Sequence, residues 1–401
     1  MKCDDIGKRL STARERTGLS RRRVSLDAGL APEAVHSIEH TSRMPGIDTT
    51  ERLANVLGVS AAWLAYGVEP LRRIYNFRIA PSFNGMARAA ELDATLRGAG
   101  GRIDQSFLYS DALGAHRYME IAQNYRGLPV KHAATSILAQ TQDALTVVAL
   151  GSGHARHETA LVEHLVRPGL SDVAGEPSIE LYLIDASVCM ISEGYRYASE
   201  QLGRHGIPIT AIEGDFIRLP TFSDCFSSRG PRRKLFTLLG FTVGNLDNEI
   251  TFLRESLMGA VRGDFLLVDY LVADRSFANI EEVIANDPVS RILASGGTIT
   301  TSRFLAFLAG PVSRHYGEDV LTLSLRGEKE SGAIPQSYSV EVWVTARTRH
   351  GEKRFMTVSL RRYEGTEFVQ AFARNGWTLV QEWPFGPDRP SSLALFQRGG
   401  S

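Results

Sequence analysis

The sequence has few of the features that mark secreted, disulfide-linked or membrane proteins. Its three cysteines, Cys3, Cys189 and Cys225, are odd in number and far apart, which excludes a disulfide framework and shows no metal-ligand spacing. No apolar run approaches the roughly 18–20 residues that a membrane helix requires. No apolar stretch follows the opening Met-Lys-Cys-Asp-Asp, so we expect no secretory signal. We therefore expect a cytoplasmic protein with no membrane partner and no metal site.

An excess of charge of one sign is also lacking, because 45 basic side chains balance 45 acidic ones. Hydrophobic residues make up 43% of the chain and charged residues 22%, values that argue against a disordered, collagen-like or coiled-coil chain. At roughly 100–200 residues per domain, the length of 401 residues predicts two or three domains.

The first 68 residues have the pattern of a small all-α domain with five helices. Apolar residues recur every three or four positions, Ser20 is placed to cap a second helix, and Pro32 stands where the first turn of a third helix tolerates proline. Between these two helices, Ala28-Gly29-Leu30 provides the short turn that a helix-turn-helix requires, because Gly29 can adopt a positive φ.

This segment resembles the lambda-repressor/Cro-like helix-turn-helix family. The resemblance is carried by Ser20, Val24, Ala28-Gly29-Leu30, Val35, Ile38-Glu39, Pro45 and residues 53–64. In that family the third helix enters the major groove and the second contacts phosphates, which implies DNA as a partner and a homodimer formed through this domain. The implied base contacts are Pro32, Glu33, Ala34 and His36, and the implied phosphate contacts are Arg21, Arg22 and Arg43.

A second interpretation of the domain stays open, because its charge is nearly balanced. Residues 1–70 contain ten Lys and Arg against nine Asp and Glu, so the net charge of one is a weak electrostatic footprint for DNA. The cluster Arg21-Arg22-Arg23 at the predicted second helix nevertheless favours DNA binding over a helical interaction module.

From Leu145 onward, apolar runs alternate with helical segments, which indicates a parallel α/β sheet. Polar segments follow the first three predicted strands: Gly151-Ser152-Gly153, then Asp185-Ala186, then Gly214-Asp215-Phe216. A doubly wound sheet binds ligands at these carboxyl ends, where Asp185 can accept both ribose hydroxyls, Asp215 an adenine amine, and Phe216 can stack on the ring. Arg156 occupies the place of a third glycine, so the pattern favours a class I S-adenosylmethionine methyltransferase over a dinucleotide fold.

Residues 105–397 resemble the histidine-specific N-alpha-methyltransferases of ergothioneine biosynthesis. The resemblance is carried by residues 107–114, 118–121 and 238–246 and by the tail from Arg361 to Trp383. It implies S-adenosylmethionine as the cofactor, Gly240 as a cofactor contact, and two catalytic residues: Asn245 as a contact of the substrate amine and Tyr109 as an aromatic contact at the polar end of the substrate. Together the two resemblances imply a multidomain protein: a helix-turn-helix head over residues 1–68, a linker over 69–104, a class I methyltransferase core with a Rossmann-like doubly wound sheet over 105–273, an inserted α+β substrate subdomain over 274–358, and closing helix and strands over 359–401.

The substrate prediction departs from that family. Val358 and Leu360 stand where the family has the Glu-x-Ser pair that holds imidazole, and losing those hydrogen bonds removes selectivity for histidine. A less polar amine or amino-acid derivative is the expected acceptor. No general base is evident, since His116 and His154 are predicted to be ordinary surface residues.

Two other functions remain open. One is a transcriptional regulator whose methyltransferase-like domain senses S-adenosylmethionine or another small molecule. The other is a methyltransferase acting on nucleic acid. It is disfavoured because the fourth predicted strand is not followed by the Asp/Asn-Pro-Pro-Tyr/Phe motif of enzymes that methylate exocyclic base amines.

Overall fold

The computed structural model forms two compact units, Met1–Ile74 and Tyr75–Ser401. It describes residues 6–41, 45–57, 59, 61–66, 76–80, 83–122, 127–166, 178–226, 232–273, 280–329, 332–386 and 390–400. In this described part of the chain, no helix is long and apolar enough to cross a membrane.

The described part of the first unit contains five helices, as the sequence predicts. They are α1 (Ile6–Thr17), α2 (Arg21–Asp27), α3 (Ala34–Thr41), α4 (Ile47–Leu57) and α5 (Ala61–Tyr66). Their apolar faces meet in one core that fully buries Leu10, Val24, Val35, Leu53 and Leu64.

The turn between α2 and α3 is fixed by local hydrogen bonds. Gly29 has a φ of +66°, its amide donates to the carbonyl of Leu26 at 2.9 Å, and the amide of Leu30 donates to that of Ser25 at 2.8 Å. This is the Schellman arrangement that ends a helix at a left-handed glycine. The amide of Val35 also donates to Ser25 Oγ at 3.1 Å, which ties α3 to α2.

The second unit is built on one large sheet with helices on both faces. Its strands are β1 (Asn76–Ile79), β2 (Gly100–Arg102), β3 (Leu145–Leu150), β4 (Ile179–Asp185), β5 (Ile209–Glu213), β6 (Arg233–Leu238), β7 (Phe265–Val272), β8 (Leu321–Lys329), β9 (Tyr338–Thr348), β10 (Gly351–Tyr363), β11 (Trp377–Phe385) and β12 (Ser391–Arg398). Its helices are α6 (Gly85–Arg97), α7 (Ala112–Ala122), α8 (Val130–Gln140), α9 (Arg156–Leu165), α10 (Val188–Leu202), α11 (Glu249–Thr251), α12 (Ile280–Asn286), α13 (Pro288–Ala294), α14 (Arg303–Leu308), α15 (Gly310–Tyr316) and α16 (Gly365–Arg374).

The central strands run parallel in the order β1-β5-β4-β3-β6-β7, and β12 and β11 follow antiparallel on the far side of β7. All residues of β3 are buried, because helices cover both faces of a parallel sheet. Val148 and Leu150 face one apolar core, whereas Val147 and Ala149 face the other. The unit is a Rossmann-like, doubly wound α/β fold, as predicted.

The same sheet continues past β7 into the antiparallel strands β10, β9 and β8. Helices α12 and α13 pack on β8, and α15 packs on β9. The last residues of β10, Arg362 and Tyr363, pair in parallel with Leu271 and Val272 of β7. The predicted boundary between residues 358 and 359 therefore falls inside a continuous strand.

The linker expected over residues 69–104 is contradicted for residues 76–104. Strand β1 extends the sheet beside β5, α6 buries Leu96, and β2 pairs with β10. A Cβ on Gly100 would lie 2.4 Å from the carbonyl oxygen of Arg354. Gly100 therefore allows β2 to lie close to β10 and is not part of a loop. This contact joins residues more than 250 positions apart, which local sequence patterns do not reveal.

Candidate functional site

Two adjoining cavities open at the carboxyl ends of β3, β4, β5 and β6. Their volumes are about 490 and 650 Å³, within the range of roughly 300–1,000 Å³ typical of ligand sites. Of the residues predicted from sequence, the smaller cavity brings together Tyr109, Gly151, Ser152, Gly153, Asp185, Ala186, Asp215, Phe216, Gly240 and Asn245. Tyr109, Gly240 and Asn245 also line the larger cavity, so they form part of a shared wall.

The loop after β3, residues 151–153, forms a concave backbone surface, here called the cradle, that requires glycine at positions 151 and 153. Gly151 and Gly153 have φ values of +66° and +49°. A Cβ on Gly151 would lie 3.2 Å from Thr242 Cγ2 and 3.3 Å from Phe216 Cε1. Beside it, Ser152 Oγ is buried and has no hydrogen-bond partner among the described residues, which leaves a polar group available to a ligand.

Sequence reasoning missed Gly194, on which this cradle rests. Gly194 lies inside α10, and a Cβ there would be 2.6 Å from the carbonyl oxygen of Gly153. Helix α10 can approach the loop only because this position lacks a side chain. A glycine in the interior of a helix, where it costs stability, is the signal that could have identified it.

Asp185 holds the cradle in place. Its Oδ2 accepts the amide of Gly153 at 2.9 Å and its Oδ1 accepts the amide of Ser187 at 2.8 Å. Burial raises the pKa of Asp185, against the lowering effect of these amides. Each carboxylate oxygen accepts more than one hydrogen bond, so the side chain can receive a ribose hydroxyl while it orients the loop.

Two of the three residues predicted after β5 reach the smaller cavity. Asp215 Oδ1 accepts the amide of Ile217 at 3.0 Å, and burial raises its pKa. Phe216 packs edge-on against Phe252, with ring centroids 6.0 Å apart. Gly214 does not line the cavity: a Cβ there would be 2.9 Å from Cβ of Ala80. It packs against the end of β1, a strand the sequence did not reveal.

The loop after β6 presents Asn245 at the shared wall. Gly240 and Phe241 both have positive φ, +79° and +62°, and Asp269 Oδ1 accepts the amide of Phe241 at 3.0 Å. The short helical turn Thr242–Asn245 follows. Asn245 Oδ1 is buried without a hydrogen-bond partner among the described residues.

A buried polar network beneath this loop ties it to β10. Tyr363 donates to Glu249 Oε1 at 2.7 Å, and Arg361 donates to the same carboxylate and, at 3.0 Å, to the carbonyl of Leu246. Burial, followed by the charge of Glu249, raises the pKa of Tyr363. Sequence reasoning noted residues 361–363 only as part of a resemblance and missed this role, because it depends on Glu249 more than 100 positions away.

The larger cavity has mainly apolar walls. Its apolar lining includes Val283, Val289, Phe304, Phe307, Leu308, Val340, Val342, Val358 and Leu360. Val358 and Leu360, which motivated the substrate prediction, therefore lie in the wall. Tyr109 meets Tyr118 edge-on at 4.9 Å between ring centroids and Phe307 at 5.4 Å, and the hydroxyl of Ser187 donates to its carbonyl.

Two histidines belong to the shared wall instead of the surface. Burial lowers the pKa of His154 and of His157 to about 4, so both are neutral at pH 7. The expectation that His154 is an ordinary surface residue was wrong, whereas the side chain of His116 is 65% exposed. The difference arises because α7 and α14 bring Tyr118 and Phe307 over the loop that carries His154.

The candidate DNA-binding surface of the first unit is exposed at α3. Pro32, Glu33 and His36 are exposed and Ala34 is half-buried; Arg22 is also exposed. Arg43 lies outside the described residues.

Arg21 is committed to an intramolecular ion pair. Its guanidinium and that of Arg14 both hydrogen-bond to the carboxylate of Glu39, whose side chain is only 4% exposed. Burial alone raises the pKa of Glu39, but the hydrogen bonds and charges of Arg14 and Arg21 outweigh it and lower the pKa. Arg21 therefore joins α2 to α3, a role the sequence prediction did not include.

Comparison with protein-family models finds a match within the first unit. Residues 7–70 match the family model described as a helix-turn-helix domain. No curated protein matches the chain.

Solved structures with a similar fold are methyltransferases. An S-adenosylmethionine-dependent methyltransferase from Clostridium acetobutylicum is 11% identical and aligns over 71% of this chain and 98% of its own, with a TM-score of 0.37. The CcbJ methyltransferase from Streptomyces caelestis is 12% identical over 74% of this chain and 100% of its own, with a TM-score of 0.37. Magnesium protoporphyrin IX methyltransferase from Synechocystis, with bound S-adenosylhomocysteine, is 11% identical over 73% and 97%, with a TM-score of 0.38. At these values the similarity identifies neither an activity nor a substrate for this chain.

Proposed function

We propose that the second unit binds S-adenosylmethionine in the smaller cavity and methylates a small, mainly apolar amine held in the larger one. The observation that carries the proposal is the position of Asn245 in the wall shared by the two cavities, where its buried Oδ1 has no hydrogen-bond partner among the described residues. An amide oxygen in this place can orient an N–H group of a substrate toward the neighbouring cavity.

The smaller cavity fits the cofactor by its own chemistry. The glycine cradle admits close backbone approach, the hydroxyl of Ser152 lacks a partner among the described residues, and the carboxylates of Asp185 and Asp215 lie in the wall. When bound, S-adenosylmethionine supplies an electrophilic methyl group. The residues of this chain would hold ribose at Asp185 and adenine at Asp215 and Phe216.

The chain's contribution to methyl transfer is alignment. Holding the acceptor nitrogen in line with the methyl group converts a bimolecular reaction into an effectively unimolecular one. Asn245 would orient the nitrogen, and Tyr109 would contact the polar end of the acceptor. The aromatic cluster of Tyr109, Tyr118 and Phe307 would exclude water above the reacting atoms.

The acceptor is not histidine in this proposal. The side chains of Val358 and Leu360 cannot hydrogen-bond to an imidazole. Burying an imidazole N–H or ring nitrogen without a partner reduces the binding free energy by about 1–3 kcal/mol for each lost hydrogen bond. A hydrophobic or aromatic amine, or an amino-acid derivative with an apolar side chain, suits these walls.

The first prediction concerns cofactor binding. Calorimetric titration of S-adenosylmethionine into the full chain should show binding in the micromolar range, and Asp185→Ala should abolish it because the amides of Gly153 and Ser187 lose their acceptor. Asp143→Ala is the matched control, since Asp143 pairs with Arg233 at the opposite edge of the sheet, and should bind normally. Absence of binding by the unmodified protein would contradict the proposal and leave DNA binding as the main function.

The alternative is a DNA-binding regulator that senses S-adenosylmethionine without turning it over. The helix-turn-helix domain in the same chain favours it. Homodimerisation through this domain and contact of α3 with the major groove belong to both versions of the proposal.

The second prediction separates enzyme from sensor. Asn245→Ala should retain cofactor affinity within a few-fold but lose methylation of apolar amines, followed by mass spectrometry, because the substrate nitrogen loses its acceptor. A pure sensor would instead show no methylation by the unmodified protein, and S-adenosylmethionine would alter its DNA affinity in the variant as in the original.

A further inference from the structure

Asp269 is a buried residue in the wall of the larger cavity. Its carboxylate has no role in the methyl transfer proposed above. The residue is only 1% exposed. Oδ1 accepts the amide of Phe241 at 3.0 Å, whereas Oδ2 has no hydrogen-bond partner among the described residues. A buried carboxylate oxygen without a partner is costly, so its retention at a cavity wall points to a ligand that supplies a donor.

Asp269 and Asn245 together define what that ligand carries. Both line the larger cavity, and in both the atom without a hydrogen-bond partner among the described residues is an oxygen, Oδ1 in Asn245 and Oδ2 in Asp269. Two acceptors require two donors. An alcohol or phenol has one O–H, whereas a protonated primary or secondary amine has at least two N–H groups and the charge that a carboxylate balances.

We propose that the larger cavity binds a primary or secondary amine with an apolar or aromatic body as its ammonium ion, and that Asp269 accepts one N–H and removes that proton. This inference deepens the proposed function and rests on it. Asn245 Oδ1 accepts a second N–H. The proton moves from nitrogen to Asp269 Oδ2, the carboxylate becomes a carboxylic acid, and the electron pair of the broken N–H bond becomes the lone pair on nitrogen. No other reactant is consumed.

The surroundings of Asp269 suit a proton acceptor. Burial raises its pKa to about 7, against the lowering effect of the amides of Phe241 and Gly240. Glu158 of α9 is also buried, and its pKa is raised to about 8 by burial, followed by the charges of Asp269 and Asp185. Glu158 is therefore mainly protonated at pH 7, and Asp269 ionises before it as the pH rises. His154 and His157 in the same wall are neutral.

The test compares ligands that differ only at the polar group. Phenethylamine and 2-phenylethanol, and likewise tryptamine and tryptophol, are titrated calorimetrically into the full chain at pH 7 with saturating S-adenosylhomocysteine. We expect each amine to bind at least about 10-fold more tightly than its alcohol, the effect of one charge-assisted hydrogen bond. Equal affinity within each pair, or no binding by any of the four, would overturn the inference.

Asp269→Asn is the decisive variant, because an asparagine oxygen can still accept the amide of Phe241. It should lose the preference for amines while the affinity for the alcohols and for S-adenosylhomocysteine stays within about threefold. Asp143→Asn, the control at the opposite edge of the sheet, should keep the preference. A preference retained in Asp269→Asn would also contradict the inference.

Failure of this inference is distinguishable from failure of the proposed function. Normal binding of S-adenosylhomocysteine without any amine preference contradicts only the role of Asp269. If S-adenosylhomocysteine does not bind, the proposed function fails, and the four ligands are then compared in its absence.

Proton removal has its own readout. With S-adenosylmethionine present, Asp269→Asn should methylate phenethylamine about 100-fold more slowly at pH 7 and recover as the pH approaches 10, where the amine loses its proton in solution. Glu158, whose pKa is raised in part by the charge of Asp269, and the two histidines of the same cavity wall are deprotonated well before that pH. A uniform loss at all pH values would indicate a merely structural role.

Discussion

At the scale of single residues, backbone amides position the carboxylates of the site. Asp185 accepts amides from Gly153 and Ser187, and Asp269 accepts one from Phe241. Each of these amides belongs to the loop that the carboxylate supports. Substituting such a residue therefore changes loop geometry as well as charge, and tests of ligand contact need variants that keep an acceptor oxygen.

The third prediction concerns Gly194. Gly194→Ala should weaken binding of S-adenosylhomocysteine by about 10-fold or more, because the added Cβ would lie 2.6 Å from the carbonyl of Gly153 and displace the cradle. Gly85→Ala, where a Cβ would meet nothing within 4 Å, is the control. Calorimetry on both variants measures the effect, and unchanged affinity in Gly194→Ala would show that the loop tolerates the displacement.

At the scale of elements, parallel strands gather acidic side chains at one edge of the sheet. β4 and β7 contribute Asp185 and Asp269, and the first turn of α9 contributes Glu158. The N-terminal end of a helix favours negative charge, but burial dominates here and keeps Glu158 protonated at neutral pH. The site therefore contains a carboxyl group whose ionisation opposes folding.

The fourth prediction follows from Glu158. Its pKa rises from 4.5 to about 8 on folding, so the folded state binds more protons between these values. The stability contributed by the neutral group is complete below pH 4.5 and is lost as the pH rises toward 8, at up to about 1.4 kcal/mol per pH unit. Glu158→Gln should therefore reduce the decline in unfolding free energy between pH 5 and 8.

Urea denaturation at the two pH values, followed by tryptophan fluorescence, measures this effect, since Trp343, Trp377 and Trp383 lie in the second unit. Asp269 titrates in the same window, so part of the decline should remain. Glu163→Gln, on the same helix but partly exposed, is the control and should leave the pH dependence unchanged. An identical decline in Glu158→Gln would show that Glu158 is ionised in the folded protein.

At the scale of the whole molecule, one chain carries a candidate DNA-binding surface and a candidate two-cavity site in separate units. The charge of residues 1–70 is nearly balanced, and Arg21 is already paired with Glu39. The electrostatic part of DNA binding therefore depends on few cations. Arg22, which the sequence identified, is one of them and is exposed on α2.

The fifth prediction tests this surface. Arg22→Ala should weaken binding to a mixed-sequence duplex and reduce the slope of log affinity against log salt by about one, measured by fluorescence anisotropy at several salt concentrations. Arg16→Ala, an exposed cation of α1, is the control within the same unit. No binding by the unmodified protein would instead support an interaction module.

The sequence by itself determined the fold class of both units and the polar residues that follow β3, β4 and β5 in the wall of the smaller cavity. Helix periodicity, the turn at Gly29 and the short motifs after β3, β4 and β5 are local sequence patterns. Motifs that follow parallel strands meet at the carboxyl edge of the sheet. Only the tertiary structure decided that residues 76–79 and 100–102 are strands of the sheet, that Gly214 packs against Ala80, and that His154 lies half-buried in the cavity wall. It alone identified Gly194 and Asp269, because close approach, burial and the lack of a partner depend on neighbours distant in sequence.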